Sequence, residues 1–325
     1  MFNSLFSDLN ESAKHSAAYL KNSLSPIEYE EGLATLTLVG QAMTLHSVEL
    51  VLTALEDIVK PKVIGLHALD GYFGDSVVVV QCEPVTIAHD ALALRLEDVA
   101  LSLHLNVGLQ HQQPTLSEPG LLVMDMDSTL ISIECIDEIA KLAGVGEEVS
   151  NVTARAMRGE IAFNDSLIHR VACLKGVSVD KLLQIRNGIP LMPGVQSLTQ
   201  TLAENGWKMA IASGGFTYFA DYLRDRLGLD AAVSNTLGEE NGTLTGEVIG
   251  DIINAQVKAD TVRALSAQWN IPNTQTVALG DGANDLVMME EAALGVACHG
   301  KPVVNQKADV AIRFGGLHNM LYFMR

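Results

Sequence analysis

A chain of 325 residues, 48% hydrophobic and carrying 39 acidic against 21 basic side chains, reads as a folded globular protein with room for two domains of about 150 residues each. Its net charge of −18 disfavours nucleic acid and anionic membrane surfaces as partners, because both require a cationic footprint. No run approaches the ~20 apolar residues of a membrane span, the start lacks a basic segment followed by an apolar core, and Cys82, Cys135, Cys173 and Cys298 form no C-x-x-C pair. A cytoplasmic protein with reduced thiols, and neither a zinc site nor a disulfide framework, is therefore expected.

Residues 1–32 mix Ser, Asn, Lys and acids and read as a loosely attached N-terminal arm with one helix near 13–21. From Ala34 the pattern sharpens. Strand-like 34–39, helical 45–58, strand-like 62–69 and 76–83, helical 88–104 and strand-like 106–111 give the order β-α-β-β-α-β. That order predicts a ferredoxin-like α+β domain over 33–112, with both helices on one face of a small sheet. Residues 1–118 hold five Lys/Arg against 15 Asp/Glu, so the acidity is spread along the chain and serves solubility. Residues 113–119, with Pro114 and Pro119 and no apolar period, read as an interdomain linker.

The second domain, 120–325, opens with Leu121-Leu122-Val123-Met124, a short apolar run that reads as a buried strand of a parallel sheet. It delivers Asp125 at its carboxyl end, where open α/β sheets bind ligands, and Asp127 projects to the same side two residues on. Two carboxylates on one loop suggest a nucleophile and a general acid/base beside a hard metal ion. Residues 133–195 read as mostly helical, a lid inserted directly after that loop. An α/β alternation follows: strand 208–212, helix 216–227, a hairpin in 233–248 turning at Asn241-Gly242, helix 258–269, strand 276–279, helix 285–293, and short strands 294–297 and 310–313. Two more strands end in polar loops. Ser213-Gly214-Gly215 places a hydroxyl and a backbone N–H where they can hold a phosphate oxygen, although the same tripeptide is an ordinary strand-to-helix turn. Gly280-Asp281-Gly282-Ala283-Asn284-Asp285 gathers the oxygen ligands that magnesium prefers. Lys258 begins a predicted helix, where the dipole disfavours a cation; on its own it reads as a surface lysine.

D-x-D-S-T at 125–129, S-G-G at 213–215, Lys258 and G-D-G-x-N-D at 280–285 resemble, in order, the four motifs of the haloacid dehalogenase superfamily. Within it, residues 120–315 resemble the phosphoserine phosphatases, and the N-terminal half is similar to the ACT and ACT-like modules attached to many amino-acid enzymes. The resemblance implies an α/β fold, a Rossmannoid parallel-sheet core with a helical cap over about 133–195. It further implies hydrolysis of O-phospho-L-serine to L-serine and phosphate through an aspartyl-phosphate intermediate, in the last step of serine synthesis. The alternative is a phosphotransferase, or a phosphatase acting on another small phosphomonoester.

By the same resemblance Asp125 is the nucleophile and Asp127 the general acid/base, with Lys258 beside the phosphate. Mg2+ is held by Asp125, the main-chain carbonyl of Asp127 and Asp281, with Asp285 behind them. Ser213, Gly214 and Asn284 bind near the phosphate, Glu134 takes the substrate ammonium, Arg170 its carboxylate, and Met157 and Phe163 wall the pocket. ACT-like modules pair as dimers, which implies a homodimer through the N-terminal domain; a structural or dimerising role is favoured over an effector site there, since only Gly40 suggests a ligand turn.

Overall fold

The computed structural model describes residues 14–157 and 160–325, apart from the side chain of Met157. Residues 1–13 of the expected arm lie outside the described residues. The remainder is not loose: helix α1 (Ala17–Ser23), capped by the Ser16 hydroxyl accepting from Tyr19 N, buries Leu20 completely and is followed by the buried Leu24. Ile27 N and Leu66 N then exchange backbone hydrogen bonds with Leu66 O and Ser25 O, both 2.8 Å. Two leucines four residues apart, on one face of a helix end, dock the segment.

β1 (Ala34–Gly40), α2 (Leu45–Ala54), β2 (Pro61–Leu66), β3 (Ser76–Cys82), α3 (His89–Leu103) and β4 (Asn106–Gln110) form a four-stranded sheet of order β2-β3-β1-β4 with antiparallel neighbours. Leu36, Leu38, Val78 and Val80 pack with α2 and α3, whereas Val39 and Val77 on the other face join the core that holds Leu317, Tyr322 and Phe323. Both faces are therefore covered, which is why the Val77–Val80 run shows no polar alternation.

β5 (Leu121–Met124) starts the second sheet and is followed by helices α4 (Cys135–Ala143), α5 (Gly146–Met157), α6 (Phe163–Ala172) and α7 (Val179–Asn187). Then come α8 (Val195–Glu204), β6 (Lys208–Phe216), α9 (Thr217–Leu227), β7 (Ala231–Glu240), β8 (Thr243–Ile249), α10 (Ala255–Trp269) and β9 (Thr276–Gly280). α11 (Leu286–Glu291), β10 (Leu294–Cys298), α12 (Pro302–Lys307) and β11 (Val310–Ile312) complete it, before a 3-10 segment Leu317–Phe323. The order is β11-β10-β9-β5-β6-β7-β8, parallel except for the β7–β8 hairpin, whose turn residues Asn241 and Gly242 both take positive φ. Leu122 and Met124 face one layer, and Leu121 and Val123 face α10 and α11 on the other, so β5 is buried on both sides.

The expected helix start at Lys258 is corrected. Asn254 caps α10 by accepting from Gln256 N and Val257 N, which puts Lys258 at the fourth helical position. α8, α12 and the 3-10 segment were not anticipated. The last of these holds the two sheets together: Asp75 Oδ2, from the residue just before β3, accepts from Tyr322 OH at 3.0 Å and Asn319 Nδ2 at 3.3 Å and lies 3.0 Å from His318 Nε2. The linker is likewise docked, Trp207 Nε1 donating to Leu116 O at 2.9 Å and Leu116 N to Arg325 O at 2.7 Å. The four cysteines are unpaired, and no described helix is long and apolar enough to cross a membrane.

Tyr322 is fully buried. Tyr322→Ala is expected to cost about 3–5 kcal/mol in denaturant unfolding, and Tyr322→Phe only about 1 kcal/mol because Asp75 keeps two other partners. Equal costs would contradict a joint held mainly by packing.

Candidate active site

The parallel order brings the carboxyl ends of β5, β6, β9 and β10 to one edge, and a cavity of about 170 Å³ lies there beneath the helical insertion. Its wall contains Asp125 and Asp127 after β5, Ser213 and Gly214 from β6, and Asp281 and Asn284 after β9, together with Glu134, Phe163 and Arg170 from the insertion. Lys258 and Asp285 stand directly behind this wall. Of the residues expected at the site, Met157 alone has a side chain outside the described residues.

Lys258 is 1% exposed, and its Nζ lies 2.9 Å from Asp125 Oδ1 and 2.7 Å from Asp285 Oδ1. Burial alone would lower its pKa, but the adjacent Asp125 and Asp285 charges hold it above the ordinary lysine value. Asp285 Oδ2 accepts from Gly282 N at 3.0 Å, so both of its oxygens are engaged within the protein. A Cβ on Gly280 would stand 2.5 Å from the Asp285 side chain, which explains glycine at the head of that loop.

Asp127 Oδ1 accepts from Cys135 N at 3.2 Å. Burial, then the Glu134 and Asp125 charges, raise its pKa to about 8, which makes it a proton donor at neutral pH. A Cβ on Gly215 would approach Asp127 Oδ2 to 2.8 Å, so the third residue of the S-G-G motif makes room for this carboxyl. Ser213 Oγ accepts from Gly215 N at 3.0 Å, leaving its own proton free for an oxygen in the cavity. Ser128, at φ +57°, donates to Glu134 Oε1 at 2.7 Å; burial nonetheless raises the Glu134 pKa, and burial lowers that of Arg170.

Ligand oxygens of Asp125, Asp281 and Asp285 lie within 4.8 Å of one another. Thr129 Oγ1 donates to Asp281 Oδ1 at 3.1 Å, but burial and the Asp285 and Asp125 charges still push Asp281 up to about 7. Asp125 Oδ1 is buried and makes no hydrogen bond, facing Lys258 as an ion pair only. Crowded, oxygen-only and under-compensated, this group suits a hard divalent cation.

Two features escaped sequence reasoning. Asn235 on β7 donates to Gly214 O at 2.8 Å and accepts from Ile253 N at 2.9 Å, fixing the Ser-Gly-Gly loop; an isolated Asn in a strand gives no such signal. Lys301 also lines the cavity, and its position just after a short late strand was the available clue.

Residues 120–293 match the haloacid dehalogenase-like hydrolase family. The chain belongs to this family. It is 53% identical over 233 residues to a phosphoserine phosphatase of Vibrio cholerae, covering 72% of this chain and 71% of that relative. The crystal structure of a probable phosphoserine phosphatase from Vibrio cholerae, unliganded, superposes with a TM-score of 0.75 at 40% identity, covering 99% of this chain and 92% of that one. A structure described as the phospho-aspartyl intermediate analogue of phosphoserine phosphatase gives a TM-score of 0.60 at 36% identity over 64% of this chain and all of that one. Members of this hydrolase family are generally metal-dependent, in keeping with the acidic cluster.

Saturating magnesium should raise the thermal unfolding midpoint, by about 2.7 kcal/mol of stabilisation at a hundredfold excess over Kd. Asp281→Ala should abolish the increment. A wild-type midpoint indifferent to magnesium would contradict a cation site at this cluster.

Proposed function

We propose that the chain is a magnesium-dependent phosphoserine phosphatase in which Asp125 is phosphorylated and Asp127 moves the protons. The observation that carries this proposal is the convergence, in one small cavity, of the Asp125/Asp127 carboxyl pair, the Ser213-Gly214 turn, and Glu134 with Arg170. Similarity to phosphoserine phosphatases and to a phospho-aspartyl analogue complex supports it.

A phosphate monoester is largely dianionic at pH 7 and repels a carboxylate, so the chemistry needs cations and fixed donors at the phosphate. Lys258 holds Asp125 in place and reduces its charge, while Ser213 Oγ–H and Gly214 N–H orient phosphate oxygens. An Asp125 carboxylate oxygen attacks phosphorus in line with the serine oxygen, which leaves with the proton of Asp127; the products are an aspartyl phosphate and free serine. Asp127, now a carboxylate, takes a proton from water as that water attacks phosphorus, releasing phosphate and restoring Asp125. Mg2+, held by Asp125, Asp281 and the Asp127 carbonyl with Asp285 behind, would supply charge neutralisation at the phosphate.

Selection belongs to the insertion. Glu134 takes the substrate ammonium and Arg170 its carboxylate, with Phe163 as an apolar wall. Residues 120–325 form the phosphatase domain, with its cap over about 133–195. Residues 33–112 form an ACT-like ferredoxin-fold domain, joined by 113–119, and the protein acts in the cytoplasm in the last step of serine synthesis.

Phosphate release from O-phospho-L-serine should exceed that from phosphothreonine or an aryl phosphate and should vanish with chelator. Arg170→Ala should lower kcat/KM on phosphoserine by about one to two powers of ten, as the loss of a charge-assisted bond predicts, while sparing the aryl phosphate. Asp127→Asn should lower turnover about 10²- to 10⁴-fold. Equal wild-type rates on all three substrates would refute the cap assignment, and phosphate transfer to added homoserine would favour the phosphotransferase alternative.

A further inference from the structure

A fourth loop reaches the cavity at the carboxyl end of β10. His299 takes a left-handed φ of 49° and donates its N–H to Ile312 O at 2.9 Å, and Asn305 Nδ2 donates to Gly300 O at 2.9 Å. Lys301 N–H donates to Asp281 O at 3.4 Å, which seats the loop against the one that carries the acidic cluster. Lys301 then lines the cavity with Asp125, Asp127 and Asn284. Local structure has no use for a lysine here. It is the N-cap of α12, a position that favours a side-chain oxygen, and it makes no side-chain capping bond.

The other two cations of the site already face acids of the protein. Lys258 lies between Asp125 and Asp285, and the charges acting most strongly on Arg170 are those of Asp137 and Glu134. Lys301 is exposed, and among the described residues no carboxylate lies within ion-pair distance of it. A dianion entering a cavity walled by Asp125, Glu134 and Asp281 meets a repulsive field, which an unpaired cation at the entrance relieves. A lysine, as a compact charge on a flexible stem, can follow the phosphate inward.

We propose that Lys301 is a phosphate-capture residue: its ammonium pairs with the phosphate group of the incoming monoester and sets its affinity and entry rate, without taking part in bond making. The assignment rests on the phosphatase reading above, but on the phosphate end of the substrate alone.

The test uses the full-length chain with magnesium and compares wild type, Lys301→Met and Lys301→Arg on O-phospho-L-serine and on an aryl phosphate, with inorganic phosphate as inhibitor. Lys301→Met should lose about tenfold in kcat/KM on both substrates, the scale of one screened charge pair. The loss should appear in KM with kcat within about twofold, as expected when binding common to ground and transition states is removed. Phosphate inhibition should weaken in parallel, the decline of kcat/KM with added salt should flatten, and Lys301→Arg should retain most of the wild-type value.

An unchanged kcat/KM and phosphate inhibition constant in Lys301→Met would overturn the proposal. So would equal losses in the Met and Arg variants, which would mark a packing role, or a loss confined to phosphoserine, which would place Lys301 at the amino-acid end. A wild type active on the aryl phosphate but inert on phosphoserine would sink the substrate assignment, while the aryl-phosphate comparison would still decide the role of Lys301.

Discussion

The buried ammonium of Lys258, held between Asp125 and Asp285, is the interaction on which the rest of the site depends. A charge so deeply buried is tolerated only when paired, and removing one partner from such a group leaves an uncompensated charge that costs several kcal/mol. The triad ties the loop after β5 to the loop after β9 through a helix that packs on both strands. It also leaves the site short of positive charge: one ammonium serves two carboxylates, with Asp281 beside them pushed up to about 7. A divalent cation would relieve that imbalance.

Around the triad, two kinds of recognition are kept on separate elements. On the proposed reading the sheet edge supplies what any phosphate monoester needs: nucleophile, acid, hydroxyl and N–H donors, and the cation ligands. The insertion brings Glu134, Arg170 and Phe163 to the same cavity, where on the proposed reading they meet the organic part. Ser128 joins the two halves, since its left-handed backbone lets the hydroxyl reach Glu134 six residues on. That division would keep the chemistry on strands and place selection on the inserted part of the chain.

Much of this was legible in the chain. Leu121–Met124 announces a doubly buried strand by its unbroken apolar run. The β-α-β-β-α-β element order of the first half followed from alternating strand and helix patterns. What escaped notice depends on contacts between distant residues. Tyr322 and Asp75 are 247 positions apart, and the 3-10 turn carrying Tyr322 has no 3.6-residue period to betray it. Asn254 shifted the start of α10 because a side-chain cap outweighs the placement of charge. Asn235 and Lys301 act through position in the fold, which residue type alone does not disclose.

The central claim is that Asp125 becomes covalently phosphorylated while Asp127 serves only as acid and base. The most direct test is rapid acid quenching of wild type and Asp127→Asn during turnover of O-phospho-L-serine, followed by peptide mass mapping after borohydride reduction of any acyl phosphate. Reduction to homoserine at position 125 and not at 127 in the wild type, with position 125 still the one modified in Asp127→Asn, is the predicted result. Active enzyme with no modification at 125 in either protein, or with the modification at 127, would contradict the account.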